Sequence, residues 1–169
     1  MISFKKPTKL CMLYIVLIIF VACLSIMIWS LCATSFPKPS FVPPPFEDHA
    51  ISGEPTVPSE LSYGTIAGEE IPYSLYVCAT LGTEGDQLIV YFTNPSVNAA
   101  WLRLRVLDEN GDVIAQSGIL KPGQYITDLP LERLPSVGEK IQLKVMGYEA
   151  ETYQSIGSVV LNHVISYQK

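Results

Sequence analysis

Outside one apolar run, cysteine is nearly missing from this chain. Cys11, Cys23 and Cys32 lie within residues 10–33, and Cys78 stands alone in everything that follows. A single cysteine closes no internal disulfide, so an apolar core has to hold the later residues together, and metal binding through cysteine is excluded. Histidine is as scarce, with only His49 and His163. No P-loop, G-x-G-x-x-G, H-E-x-x-H, paired C-x-x-C or G-x-S-x-G occurs, which removes the usual signatures of phosphate cradling, zinc proteolysis and serine hydrolysis. No cofactor is implied. Basic charge is thin as well. Residues 34–169 carry eight Lys/Arg against sixteen Asp/Glu, a net of −8, which disfavours nucleic acid and anionic lipid as partners.

Charge is absent altogether from Leu10 to Ala33, and so is proline. Thirteen of these 24 residues are Leu, Ile, Val or Phe. At a bilayer centre they favour insertion by about 4–8 kcal/mol with no charged side chain to offset it. A helix of this length is about 36 Å long, enough to span a hydrocarbon core of about 30 Å with some tilt. The reading is a single-pass, uncleaved signal anchor over residues 10–33. Lys5, Lys6 and Lys9 precede it, while Lys38 is the one nearby cation after it. Residues 1–9 are therefore expected in the cytoplasm and the later chain outside. Ala33-Thr34-Ser35 offers a cleavage site, but cleaved signals have apolar regions of about 7–15 residues. Phe20-Val21-Ala22-Cys23 approximates a lipobox, yet ten apolar or small residues follow where a mature lipoprotein turns polar. The membrane cysteines read as small fillers, with acylation of Cys11 the alternative. Trp29 suits the outer interface.

Residues 34–62 hold seven prolines, Pro37, Pro39, Pro43, Pro44, Pro45, Pro55 and Pro58. Neither helix nor sheet is expected to run through them. A polyproline II spacer of up to about 90 Å follows, with His49 a solvated linker residue. A proline-ligand role is the alternative.

From residue 63 to 169 the pattern turns to short strands. Ile71 to Cys78 reads as an extended first segment, its Pro72 suiting an edge. Leu88, Val90 and Phe92 alternate with Ile89 and Tyr91. Leu102, Leu104 and Val106 alternate with Trp101, Arg103 and Arg105. Such period-two runs are strands with one buried face. Asp108-Glu109-Asn110-Gly111-Asp112 predicts a type I′ hairpin turn that folds Val113 to Gln116 back. Lys121-Pro122-Gly123 is a further turn, Tyr125 to Leu129 the segment after it. Ile141, Leu143 and Val145 form another strand, Val159 to Tyr167 the last. About seven strands, with no βαβ alternation, no amphipathic helix and no internal repeat, predict an antiparallel β-sandwich.

The chemistry-bearing groups read mostly as structure. The acidic turn lacks the spacing of a calcium loop. Glu69-Glu70 and the Glu149/Glu151 pair could act as acid–base carboxylates, though no apolar pocket is evident around them. His163 shares a strand face with Val159, Leu161 and Ile165, so a partly buried structural histidine is expected. A Ser–His–Asp set would need it beside Ser117 and Asp128. The outward stripe Trp101, Arg103, Arg105, joined by Tyr91, is the candidate interaction face, because Trp, Tyr and Arg are enriched in binding hot spots. Otherwise it is an exposed sheet face where arginine stems cover an aromatic. Tyr73, Tyr76, Tyr91 and Trp101 could instead stack on sugars.

The runs Asn94-Pro95-x-x-Asn98, Gly111-x-Val113-Ile114-x-x-Ser117-Gly118-Ile119-x-x-Pro122-Gly123 and Leu134-x-x-x-Gly138 give the chain a likeness. It resembles small single-pass membrane-anchored proteins of Gram-positive Firmicutes, in which a spacer precedes an extracytoplasmic immunoglobulin-like β-sandwich. The resemblance covers roughly residues 71–169 and the layout before them. It implies a cell-envelope accessory role and carries no activity. Related sandwiches often place a corner Tyr two residues after the glycine; Lys140 stands there instead. The combined expectation is a non-enzymatic, membrane-tethered domain contacting an envelope or extracellular protein. A cell-wall carbohydrate-binding module is the alternative and an extracellular hydrolase the third reading.

Overall fold

A computed structural model describes residues 9–33, 41–67 and 71–169. The chain divides into two units, Met1–Val42 and Pro43–Lys169. The first contains α1, Lys9–Ala33, one residue longer than the charge-free run. Within it Cys11–Ser30 is long and apolar enough to cross a membrane, and its apolar side chains are exposed all round. A helix apolar on every side belongs in lipid or in a core. An anchor and a signal sequence share that form. Ser25 Oγ donates to the Val21 carbonyl at 2.8 Å, which satisfies the hydroxyl inside the helix.

The second unit is built of β-strands: β1 Ile51–Ser52, β2 Tyr63–Ala67, β3 Ser74–Cys78, β4 Leu81–Glu84, β5 Gln87–Asn94, β6 Trp101–Leu107, β7 Val113–Gln116, β8 Gln124–Pro130, β9 Lys140–Tyr148 and β10 Ser155–Gln168. The hydrogen-bonded order is β1-β8-β5-β4-β10-β9-β6-β7, with β3 beside β5 and β2 beside β3. Ten strands are thus described where about seven were expected. The extra ones are short: β1, β2, and β4 with its Leu-Gly-Thr-Glu.

The sheet is mixed, which corrects the wholly antiparallel expectation. β10 and β4 run parallel through Ile165↔Leu81, Tyr167↔Gly82 and Gln168↔Thr83. The cause is the length of β10. Its residues 155–164 pair with β9, and residues 165–168 continue onto β4, with a register shift between Ile165 and Tyr167. Parallel strands need a long connection, and here most of the domain supplies it.

The alternation read from the sequence sets the core. Leu88, Val90 and Phe92, Leu102, Leu104 and Val106, and Ile141, Leu143 and Val145 are all buried in one cluster. Burying each such side chain favours folding by about 1.5–3 kcal/mol. The fold of the acidic turn differs in detail from type I′. Gly111, not Asn110, takes the positive φ (86°). Gly111 N donates to the Asp108 carbonyl at 3.0 Å, and Asp108 Oδ1 accepts from Asn110 N and Asp112 N at 2.9 and 3.0 Å. This is a tight turn closed by an aspartate and followed by a left-handed glycine, a form that leaves Asn110 in ordinary backbone space.

Residues 43–62, expected as part of the spacer, pack into the β unit as a strap. Ile119 N donates to the Pro45 carbonyl at 2.8 Å and Glu47 N to the Ile119 carbonyl at 3.0 Å. β1 pairs with β8 through Ile51↔Tyr125, and Leu61 is buried. Prolines lack a donor but keep their carbonyls, so a proline-rich strand can still serve as an acceptor along an edge. Gly118 lets the strap lie close: a Cβ there would stand 2.5 Å from Glu47 N.

Candidate functional site

β6 turns Leu102, Leu104 and Val106 inward and leaves Trp101, Arg103 and Arg105 half-buried on its outer side. The register with β9 sets Trp101 opposite Tyr148, Arg103 opposite Met146 and Arg105 opposite Lys144. One strand further, Lys144 faces Val160 and Lys140 faces Val164 of β10. Directly opposed residues share a face. The stripe of three therefore widens into a sheet surface carrying Arg103, Arg105, Lys144 and Lys140. No outward position of β6, β9 or β10 on it is acidic.

Each member is held differently. Trp101 lies edge-on between two rings, with centroids 5.0 Å from Phe46 and 5.2 Å from Tyr153. Lys121 Nζ sits 4.5 Å above the Phe46 ring. Arg103 donates to the Ser117 carbonyl and to Gln116 Oε1, both at 2.9 Å, and is bonded to the Tyr148 hydroxyl. Burial, and then the charge of Arg105, pull its pKa below the usual arginine value. Arg105 Nε is buried without an acceptor. Glu109 and Asp112, in the β6–β7 turn, and Glu149 and Glu151, in the β9–β10 turn, lie at the two ends of this surface.

Tyr91 does not belong to it. It sits on β5, which is not a hydrogen-bonded neighbour of β6. There it occupies a register shift between Ile89 and Phe92 with φ of 44°, a backbone region costly for an aromatic residue. It lines a separate hollow of about 390 Å³ with Pro58, Leu61 and Tyr167. Lys140, Lys144, Met146 and Tyr148 join the face without being candidates from sequence. Their signal was the outward phase of the β9 alternation, but only the non-local β6–β9 pairing brings them to Trp101.

The catalytic alternatives come apart. His163 is half-buried on β10, and its Nδ1 lies 3.3 Å from the Ala79 carbonyl. Burial lowers its pKa, with that carbonyl opposing the shift. Ser117 Oγ donates to the Gly118 carbonyl at 2.7 Å and accepts from Leu104 N at 2.9 Å. Asp128 accepts from Thr127 Oγ1 at 2.5 Å. No described hydrogen bond joins any two of His163, Ser117 and Asp128. Glu149 accepts from Thr152 Oγ1, and Glu69-Glu70 lie outside the described residues. The Asp108 carboxylate is occupied by its turn and by Arg133 at 3.3 Å. Cys78 is buried, which pushes its thiol up to about 11.

Among the aromatics proposed for sugar stacking, Tyr73 is removed: it is 5% exposed and donates to the Val145 carbonyl at 3.2 Å. Tyr76 stacks on Tyr63 at 5.5 Å and 21°, beside a hollow of about 440 Å³ that Glu54, Pro55, Pro95 and Val97 also line. The Asn-Pro-x-x-Asn run is structural. Asn94 Nδ2 donates to the Ala100 and Leu120 carbonyls at 2.9 Å, and Asn98 Nδ2 donates to Asn94 Oδ1 at 2.7 Å.

No family model matches this chain, and no curated protein matches it. Among solved structures, β-glucuronidase from Ruminococcus gnavus in complex with N1-substituted uronic isofagomine is similar at 16% identity and a TM-score of 0.35, over 53% of this chain and 15% of that one. The crystal structure of Ruminococcus gnavus β-glucuronidase is similar at 13% identity and a TM-score of 0.35, over 56% of this chain and 18% of that one. The chain thus spans less than a fifth of the length of either. Likeness this loose says nothing of chemistry.

Proposed function

We propose that this chain is a membrane-tethered, non-enzymatic adaptor. Its β unit is an immunoglobulin-like sandwich outside the cell that contacts another envelope or extracellular protein. The observation that carries the reading is the outer face of β6 and β9, where Trp101, Arg103 and Arg105 meet Lys144, Met146 and Tyr148. Aromatic, Met and Arg side chains are the ones enriched in protein contacts. The sandwich topology is supported by the strand order, in which, among the described strands, β8-β5-β4 and β9-β6-β7 are joined only through β10. The tether is supported by the charge-free run of residues 10–33. Lys5, Lys6 and Lys9 before it favour a cytoplasmic N-terminus.

Photo-crosslinking from position 101 in intact cells is the test. A discrete protein neighbour is expected; no protein neighbour would end the adaptor reading. If Trp101→Ala with Arg103→Ala leaves that neighbour bound, the face is wrong. A carbohydrate-binding module is the second reading, favoured by the Tyr63–Tyr76 stack at its hollow. Co-sedimentation of the protein with insoluble cell wall, lost on Tyr76→Ala, would support it.

A further inference from the structure

We infer that the outer face of β6, β9 and β10 takes an acidic protein segment, with Arg103, Arg105 and Lys144 at the centre of the contact. This rests on the protein-contact reading above and names the partner's chemistry.

The first support is charge segregation. Residues 34–169 carry a net of −8, yet the outward positions of these strands hold four cations and no carboxylate. The second is pairing. Among the described residues, Arg133 and Lys169 have carboxylate partners. Arg103, Arg105, Lys140 and Lys144 have none, nor has Lys121 over Phe46, although in residues 34–169 carboxylates outnumber cations two to one. The third is opposition. Arg105 and Lys144 face each other directly across the ladder, an arrangement of like charges that destabilises a sheet. An acidic group lying between them would reverse the sign of that interaction.

Arg103 is already oriented by Ser117 and Gln116, so little freedom remains to be lost when its fork meets a carboxylate. Around the charges, Trp101, Met146, Tyr148 and Val160 supply apolar surface, as the core of an interface requires. The ends of the face narrow the choice of occupant. Glu109, Asp112, Glu149 and Glu151 border the strands, so a broad anionic surface such as a lipid bilayer would meet repulsion at both ends. A second copy docking through the same face would set cation against cation. A segment narrow enough to cross the middle of the strands meets neither obstacle.

The test uses the full chain held in nanodiscs of zwitterionic lipid. The probes are a labelled polyglutamate peptide, a polylysine peptide and vesicles rich in anionic lipid. Polyglutamate is expected to bind and to weaken as salt rises. In the double variant Arg105→Glu, Lys144→Glu its affinity should fall about tenfold or more. The neutral pair Arg105→Gln, Lys144→Gln, which cannot misfold through buried opposite charge, should fall by less in the same direction. Equal binding by wild type and both variants, or no binding by wild type, overturns the inference. So does preferential capture on anionic vesicles that is lost in the same variants. If crosslinking from position 101 still recovers its protein neighbour in the double variant, the adaptor reading survives and the acidic-partner inference alone fails.

Discussion

Two places in the β unit use arginine in opposite ways. At the corner below the β6–β7 turn, Arg133 bonds Glu139 at 2.5 and 3.2 Å and Asp108 at 3.3 Å. Glu139 also accepts from Ser136 N, and Asp108 from Asn110 N and Asp112 N. The network ties the loop before β9 to the turn after β6. On the outer face of β6 and β9, Arg105 has a buried Nε with no acceptor and a lysine directly opposite. The corner is made to hold the fold. Arg103 bonds Ser117 and Gln116, but none of the face's four cations has a carboxylate partner among the described residues, which is why it is the better place to look for a partner.

That contrast can be broken most severely from beneath. Leu104, fully buried under Arg103 and Arg105, backs the face with core packing. Leu104→Ala is expected to cost about 2–5 kcal/mol in a denaturant titration. A mutant unchanged in stability would mean that the face rests on nothing rigid. Next in size is the strap beside Trp101. Gly118→Ala places a methyl against the Glu47 and Phe46 backbone. About 1–3 kcal/mol of overpacking strain is expected, with altered Trp101 fluorescence as Phe46 moves.

The corner should show itself in acid. Arg133 and the Ser136 N–H hold Glu139 below its ordinary 4.5. Asp108 is held below 3.8: burial raises it, but the Asp112 and Asn110 N–H groups and Arg133 outweigh that. Both folded values are depressed, so the unfolded chain binds more protons in this window. Stability is fully present above about pH 5 and falls as pH drops through the folded values. Arg133→Met should flatten that acid slope in thermal melts at pH 3–5, whereas Lys144→Gln should leave it alone. The smallest effect belongs to the face. Lys144→Gln is expected to change stability by no more than about 0.5 kcal/mol at neutral pH. A large loss would show that the face charges are structural after all.

The inner half of the sheet was legible because period two is a local property. Leu88 to Phe92, Leu102 to Val106 and Ile141 to Val145 each announce one buried side, whatever they pair with. The same locality hid other features. Nothing near Ile165 signals that β10 leaves β9 for Leu81, because that pairing joins residues 84 apart in the chain. The prolines of residues 43–62 spoke for a solvated spacer, since their missing donors are visible in the sequence and the acceptor role of the Pro45 carbonyl is not. Tyr91 has the outward phase and residue type of the stripe, but the register shift and the separation of β5 from β6 place it elsewhere. Lys144 and Lys140 were readable as outward residues, but only the ladder makes them neighbours of Arg105.

Were α1 held in a membrane, mechanical load would enter at the strap. A pull on the chain from the α1 side reaches the β unit first at Pro45, Glu47 and Gly53, whose backbone bonds to Ile119 and Gly123 are few and lie outside the long ladders. They would let go while β9 and β10 stay zipped. Residues 43–53 would then straighten to roughly 35–40 Å, a reserve of slack that cushions the sheet against shear and draws Phe46 off Trp101. Tension on α1 would thus uncover Trp101, on the face proposed for recognition.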